Sequence, residues 1–466
     1  MCHRHLFLAF CGCLALAAVA GVRAAPQHST ANPHAHGHPQ EHVDGAPAAD
    51  ARPVAGLDRT EWLMAELAHA PQGATIDVPA GVYRGPFIID RAVRLRAGGA
   101  AHLVGDGRTH TVAIRAADVV LDGFEISGSG LDLGQDHAAV HVTGARAVVV
   151  NNHIHDALHG VYVRQADGAR IEGNTIVGTQ VVEQEVDPFA AKGTPAEAEL
   201  CTVDLNQNRR GNGVHIWNSS RHLVARNTIR NTRDGIYFSF VDSSDVRDND
   251  IAGVRYGLHY MYADGNRFEG NVFRNNAAGA ALMSSHDIVL RRNQFLANQG
   301  HRSYGVLMQT VENSLLEENR ISGNTVGVFF ESGHGNRLLG NEIERNHIGI
   351  HVSDSSDGNQ FAGNRFVGNL HTVETTGGNL TSEWAVGGRG NYWDGAAVID
   401  LDRNGIADLP HRELDLFGKL RRDLPAIGLL AGSPAERLLR FVHARLAVPG
   451  LSGVVDPAPL MNGLQR

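Results

Sequence analysis

A parallel β-solenoid, an all-β architecture of stacked coils, follows from three features of this 466-residue chain. Asparagine followed two residues later by Ile or Phe recurs at positions 152, 174, 227, 249, 271, 293, 319, 341 and 364, in steps of 22, 53, 22, 22, 22, 26, 22 and 23. Glycine opening an apolar-x-apolar strand recurs at positions 213, 235, 257, 279, 305, 327 and 349, and both series skip together. Two motifs locked in one period mean one repeated structural unit. Glycine makes up 54 of the 466 residues while aromatics are only 6% and hydrophobic residues 42%, so turns are many and the core is aliphatic. No strict Gly-X-Y period points to collagen, and the apolar content is too high for a mostly disordered chain. One long repeat domain therefore replaces the several that length alone would suggest.

Each segment has its own signal. Residues 1–24 read as a secretory signal peptide, with His3, Arg4 and His5 ahead of an apolar stretch from Leu6 to Val22, and Val22-Arg23-Ala24 as the cleavage site. Phe10 stands where a lipoprotein needs a small residue before Cys11. Cys2, Cys11 and Cys13 leave with the signal, and the remaining Cys201 cannot form an intrachain disulfide. Residues 25–56 are rich in His, Pro and Ala and read as a flexible arm. Its His28, His34, His36, His38 and His42 would bind Cu(II) or Zn(II) loosely.

The solenoid is expected over 57–395. Asp58 and Glu61 form a capping pair for a short helix carrying Trp62, Leu63 and Leu67 across its open end. The first coil begins at Thr75-Ile76-Asp77-Val78. In Gly235-Ile236-Tyr237-Phe238, period-2 alternation sends Ile236 and Phe238 inward and Tyr237 outward. Coils about 4.8 Å apart then share one core. Corner Asn and Gly tolerate a left-handed backbone, and stacked Asn side chains hydrogen-bond along the turn. The 53-residue step places an acidic inserted loop at about 180–210, and we expect the solenoid to be right-handed. Residues 396–466 hold a calcium-like loop, a stretch of helical periodicity over 412–446 that contains a helix start at Ser433-Pro434-Ala435-Glu436, and a Pro/Gly-rich tail.

With 41 Lys+Arg against 50 Asp+Glu, the net charge of −9 argues against a nucleic-acid partner. The outward residue two after each strand glycine makes a column of Tyr162, His215, Tyr237, His259, Ala281, Leu307, Phe329 and His351, beside which stand Trp217, Met261 and Met283. Thioethers select Cu(I) and imidazole accepts it, so His215, His259, Met261 and Met283 are candidate copper ligands, with Trp217 and Tyr237 as binding residues. An aromatic stripe for sugar stacking or protein contact is the competing reading. Asp400, Asp402, Asn404 and Asp408 occupy loop positions 1, 3, 5 and 9 around Gly405 at 6, a calcium pattern that lacks the Glu at 12, where His411 stands. A plain Asx-rich turn explains the same residues. His153, His155 and Asp156 cluster, as groups readily do in a chain with 26 histidines. Polysaccharide lyases and epimerases also use β-helices, but the Asp-Pro-His signature of alginate epimerases is absent, and Asp187-Pro188-Phe189 is the nearest approach.

Segments such as Gly211-Asn212-Gly213-Val214-His215-Ile216-Trp217-Asn218, Arg255-Tyr256-Gly257-Leu258-His259-Tyr260-Met261-Tyr262, Gly390-Asn391-Tyr392-Trp393-Asp394 and Val455-Asp456-Pro457-Ala458-Pro459-Leu460-Met461 resemble the NosD family of periplasmic proteins that mature nitrous-oxide reductase. The resemblance spans about 57–461. It implies a non-enzymatic accessory role in assembling the copper-sulfide centre of apo-nitrous-oxide reductase. Its partners would be an ABC transporter, made of an ATPase and a membrane permease, and a copper chaperone lipoprotein. The calcium-like loop and C-terminal helices would then face the permease, and the column at His215 and His259 the cargo. The His-rich arm, the Cys201 loop and Leu409-Pro410-His411-Arg412 depart from the family pattern. A polysaccharide lyase or epimerase, or a carbohydrate-binding scaffold, is the alternative.

Overall fold

The computed structural model describes residues 56–179, 210–300, 302–353, 355–376, 381–396, 398–414, a few positions between 424 and 438, and 453–461. The signal segment, the arm histidines, Cys201 and most of the 412–446 stretch lie outside the described residues.

Twelve strands, from Phe87–Ile89 to His371–Thr376, form one continuous parallel sheet among the described residues. The other walls of each coil are short strands such as Leu223–Ala225 and Thr228–Arg230, paired in register with the coils above and below. Period-2 alternation sends one residue from each coil to the same interior spot: Ile216, Phe238, Tyr260, Leu282, Met308, Phe330 and Val352 stack in register and are fully buried. No coil could bury this face alone.

The corner asparagines are the second source of order. Each side chain is buried, accepts the backbone N–H and Nδ2–H of the asparagine one coil earlier, and donates Nδ2–H to the next. The Oδ1 of Asn271 takes both donors of Asn249 at 3.0 and 2.9 Å, and its Nδ2 reaches Val246 O and Asn293 Oδ1, each at 2.9 Å. The chain of amides runs from Asn152 through Asn174, Asn227, Asn249, Asn271, Asn293, Asn319, Asn341 and Asn364 to Asn391. A second such ladder runs from Asn276 through Asn298, Asn324 and Asn346 to Asn369. The left-handed backbone expected at the ladder asparagines sits one residue earlier, at Gly270, Arg292, Glu318 and Gly340. The strand glycines answer to close approach instead: a Cβ on Gly257 or Gly279 would meet the next coil's glycine carbonyl at 2.5 Å.

The N-terminal helix forms over Thr60–His69, with Leu63 buried and Trp62 and Leu67 packed against the core. The capping pair differs from expectation. Arg59 stands at the N-cap, and the Asp58 carboxylate accepts from the Thr60 N–H and hydroxyl, at 3.0 and 2.7 Å, in place of Glu61.

At the other end, His411–Leu414 is a strand, antiparallel to Gly453–Asp456, where helical periodicity pointed to helix. A tertiary contact overrides the local pattern, because this pair seats the fully buried Asp456 beneath the last coil. Its Oδ2 receives the Asn391 N–H at 2.6 Å and the Trp393 indole N–H at 2.8 Å. The helix start at Pro434-Ala435 does form. In the 400–408 loop, Asp400 accepts the N–H groups of Asn404 and Gly405 at 3.2 and 2.9 Å, and Asp408 accepts that of Leu401 at 2.6 Å. Asp400 and Asp402 both accept the Asn404 N–H, but the three carboxylates of Asp400, Asp402 and Asp408 do not together form a converging metal-ligand group among the described residues. These hydrogen bonds account for the shape of an Asx-rich turn without calcium, and the calcium expectation for Asp400, Asp402, Asn404 and Asp408 is not carried further.

Candidate functional site

Parallel pairing in register forces equivalent outward side chains of successive coils against each other. The observed ladder runs His141, Tyr162, His215, Tyr237, His259, Ala281, Leu307, Phe329, His351 and Glu374. His110 stacks on His141 with ring centroids 4.1 Å apart, and Tyr162 on His215 at 4.4 Å. Tyr237 meets His215 and His259 edge-on, at 4.6 and 4.7 Å. Two residues along, Arg164, Trp217, Ser239, Met261 and Met283 form a parallel ladder.

Over the first of these coils lies an open cleft of about 600 Å³, bounded by the short turn at Leu133–Gln135 and floored by the column from Tyr162 to His259. The described residues resume after the inserted stretch at Arg210, two residues from Asn212 on the cleft wall.

The cleft combines neutral imidazole with fixed charge. Buried Asp234 holds Arg255 through two hydrogen bonds, at 2.9 and 2.7 Å, and His259 Nδ1 at 2.8 Å. Burial alone would raise its pKa, but the hydrogen bonds from His259 and Arg255 outweigh it and hold the carboxyl at about 2. Burial pushes the His215 imidazole down to about 3, and neighbouring His159 adds to the effect. Its Nδ1 is buried with no hydrogen-bond partner among the described residues. His159 Nδ1 accepts the Asn212 N–H at 2.9 Å, which leaves the proton on Nε2, 3.7 Å from Asp136. Asn212 Oδ1 and Arg233 Nε are also buried and without partners among the described residues. Burial pushes the Tyr162 phenol up to about 12. The site is thus shaped for a ligand that takes hydrogen bonds from guanidinium and imidazole N–H groups and rests on ring faces.

A relative from Stutzerimonas stutzeri, named a probable ABC transporter binding protein NosD, is 33% identical over 402 residues, covering 83% of this chain and 86% of the relative. The chain belongs to the NosD family. A relative of the same name from Pseudomonas aeruginosa is 30% identical over 399 residues, covering 82% of this chain and 87% of the relative. Residues 197–397 match the profile of the NosD family, described as a periplasmic copper-binding protein. Among solved structures, an exopolygalacturonase of Yersinia enterocolitica is 11% identical with a TM-score of 0.49, covering 72% of this chain and 76% of its own. An alginate lyase with a bound trisaccharide is 12% identical with a TM-score of 0.46, covering 70% of this chain and 89% of its own.

In this NosD-family chain the four candidate copper ligands share one face but divide into two groups. Met261 and Met283 are direct ladder partners, and His259 lies two residues from Met261 on the same strand. His215 sits two coils away from His259, with the Tyr237 ring of the intervening coil between them. Trp217 and Tyr237 line the cleft. Sequence reasoning missed His141, because Ala139 stands where later coils carry the strand glycine and conceals that coil. It also missed His159, Arg233, Asp234 and Arg255. Asp234 immediately precedes Gly235, so that strand motif carried the available signal.

Proposed function

We propose that this chain is a periplasmic, non-enzymatic accessory protein that passes copper or sulfur toward apo-nitrous-oxide reductase during assembly of its copper-sulfide centre. It works docked on an ABC transporter of ATPase and permease subunits, beside a copper chaperone lipoprotein. The observation that carries this reading is the near full-length relationship to the Stutzerimonas stutzeri protein named a probable ABC transporter binding protein NosD.

The chemistry of the donor set supports copper as cargo. Thioethers and imidazole suit Cu(I), and His259, Met261 and Met283 supply them from two neighbouring coils. Asp234 accepts the His259 Nδ1–H, which orients the ring and leaves Nε2 as the ligand atom. His215 belongs with the cleft floor, and its neutral ring offers a nitrogen lone pair at neutral pH.

The test is the copper and sulfide content of nitrous-oxide reductase purified from cells lacking this protein, against complemented cells. Loss of the copper-sulfide centre with other copper retained is expected. An unchanged reductase overturns the reading and makes turnover of uronate polymers the next assay.

A further inference from the structure

We propose a second metal site, distinct from the cleft, in which His102, Glu125 and His155 bind a borderline divalent cation of the Zn(II) or Cu(II) type. The three residues come from three successive coils, His102 and Glu125 within strands of the other large sheet and His155 directly after its His153–Ile154 strand, and that sheet shares no strand with the cleft floor. His102 pairs in register with Glu125, Glu125 pairs with His153, and His155 follows two residues on, with Ile154 turned inward between the two histidines.

The ligand atoms already converge, each within 4.8 Å of the others. Glu125 stands between the two rings, with Oε1 3.0 Å from His155 Nε2 and Oε2 3.9 Å from His102 Nδ1. A tetrahedral site with bonds of 2.0–2.1 Å separates its ligand atoms by about 3.3 Å, so small side-chain rotations close the set around an ion.

The far nitrogen of each ring is tied down, as metal-binding histidines require. His102 Nε2 is hydrogen-bonded to the Ser127 hydroxyl at 2.8 Å, and in the tautomer that donates from Nε2 the Nδ1 lone pair faces Glu125. His155 Nδ1 donates to Asp156 at 2.9 Å, which directs Nε2 at Glu125. The proton shared between that Nε2 and Glu125 gives way when a cation enters. His102 is only 6% exposed, so the site has one packed wall and one open side. On the open side, the His153 ring lies 5.3 Å from that of His155 and offers a fourth donor.

Two imidazoles and one carboxylate are a donor set for zinc and copper(II). Calcium and magnesium select all-oxygen shells, and Cu(I) selects sulfur. The proposal does not depend on the copper-cargo reading, because none of its residues lines the cleft.

The test uses the full mature chain, stripped of metal and titrated with Zn(II) against a competing chromophoric chelator, with Co(II) as an optical probe. One tight equivalent and the visible absorption of four-coordinate Co(II) are expected. Glu125→Gln and His155→Ala should each weaken that equivalent at least 100-fold, and Asp156→Asn about 10-fold. Replacing the five arm histidines by alanine should remove only weaker equivalents. Circular dichroism melts establish that each variant is folded; should His155→Ala unfold, the near-isosteric Glu125→Gln decides. Absence of a tight equivalent, or one that survives Glu125→Gln or disappears with the arm histidines, overturns the proposal.

Discussion

Asp456 shows how much one carboxylate can settle. The amide ladder would end at Asn391 with a buried N–H lacking an acceptor, and Asp456 receives that N–H together with the Trp393 indole N–H. It is fully buried, which gives a physical reason for the Asp-Pro-Ala-Pro-Leu-Met ending. Asp456→Ala leaves those donors without an acceptor, at about 1–3 kcal/mol each. We expect a loss of about 3–5 kcal/mol, read as a lower urea midpoint, with Asp456→Asn costing less because its amide oxygen still accepts. A midpoint unchanged in Asp456→Ala would show that water or another group satisfies the ladder end. Asp234 plays a comparable part in the cleft. Asp234→Asn removes the charge that holds Arg255 and the carboxylate behind His259. Cu(I) affinity in a competition titration should fall about 10-fold, while unchanged affinity would remove His259 from the copper site.

At the scale of the coil, the two periodic residues act by different physics. Gly279→Ala drives a Cβ to 2.5 Å from the Gly305 carbonyl of the next coil. Backbone on both sides cannot yield without parting the rung, so a loss of about 2–4 kcal/mol is expected. Gly340→Ala meets nothing within 4 Å and costs only its left-handed φ of +64°, about 1 kcal/mol. Thermal melts of the two variants should rank in that order, and equal losses would mean that φ, and not close approach, selects the glycine column. The same physics explains what could be read in advance. From Asn152 onward each coil needs an amide at one corner and a bare Cα at another, so residue identity repeats and the coils are legible. In the earlier coils, Ala139 replaces glycine and His102, Glu125 and His155 meet through register alone, so the sequence showed only the neighbours His153, His155 and Asp156 and not the three-coil cluster. The strand at His411–Leu414 was illegible for a related reason: its partner lies some forty residues further along the chain, and local periodicity carries no information about such a pairing.

Across the whole molecule, histidines buried in the neutral form tie stability to pH. Burial is the main cause in each case, pushing His110, His141 and His222 down to about 4 and His215 down to about 3. In the unfolded chain the same groups titrate near 6.5. Below pH 6.5 the unfolded state therefore takes up protons that the folded state refuses, and stability falls as pH falls. The full contribution is present above 6.5 and lost through the window down to about 4, and for His215 to about 3. Each group contributes a slope of about 1.4 kcal/mol per pH unit within its window. Exposed His286 runs the other way, since the hydrogen bond to Asp287 raises its pKa and makes its small contribution fade as pH rises. The carboxyls act in a lower window. Burial would raise Asp234 and Glu344, but Arg255 and His259 in the first case and Arg320 and Arg345 in the second hold them at about 2, so their stabilisation is lost only from near pH 4 downward. Two acid transitions are thus expected, and the upper one belongs to the imidazoles. Melting temperature measured at constant ionic strength should drop markedly between pH 7 and pH 5, and His141→Phe, which cannot take up a proton in either state, should flatten that drop by one group's share. A melting temperature that stays level from pH 7 to pH 5 would mean that these rings are solvated in the folded protein, and the neutral imidazole lone pairs on which the cleft chemistry depends would go with them.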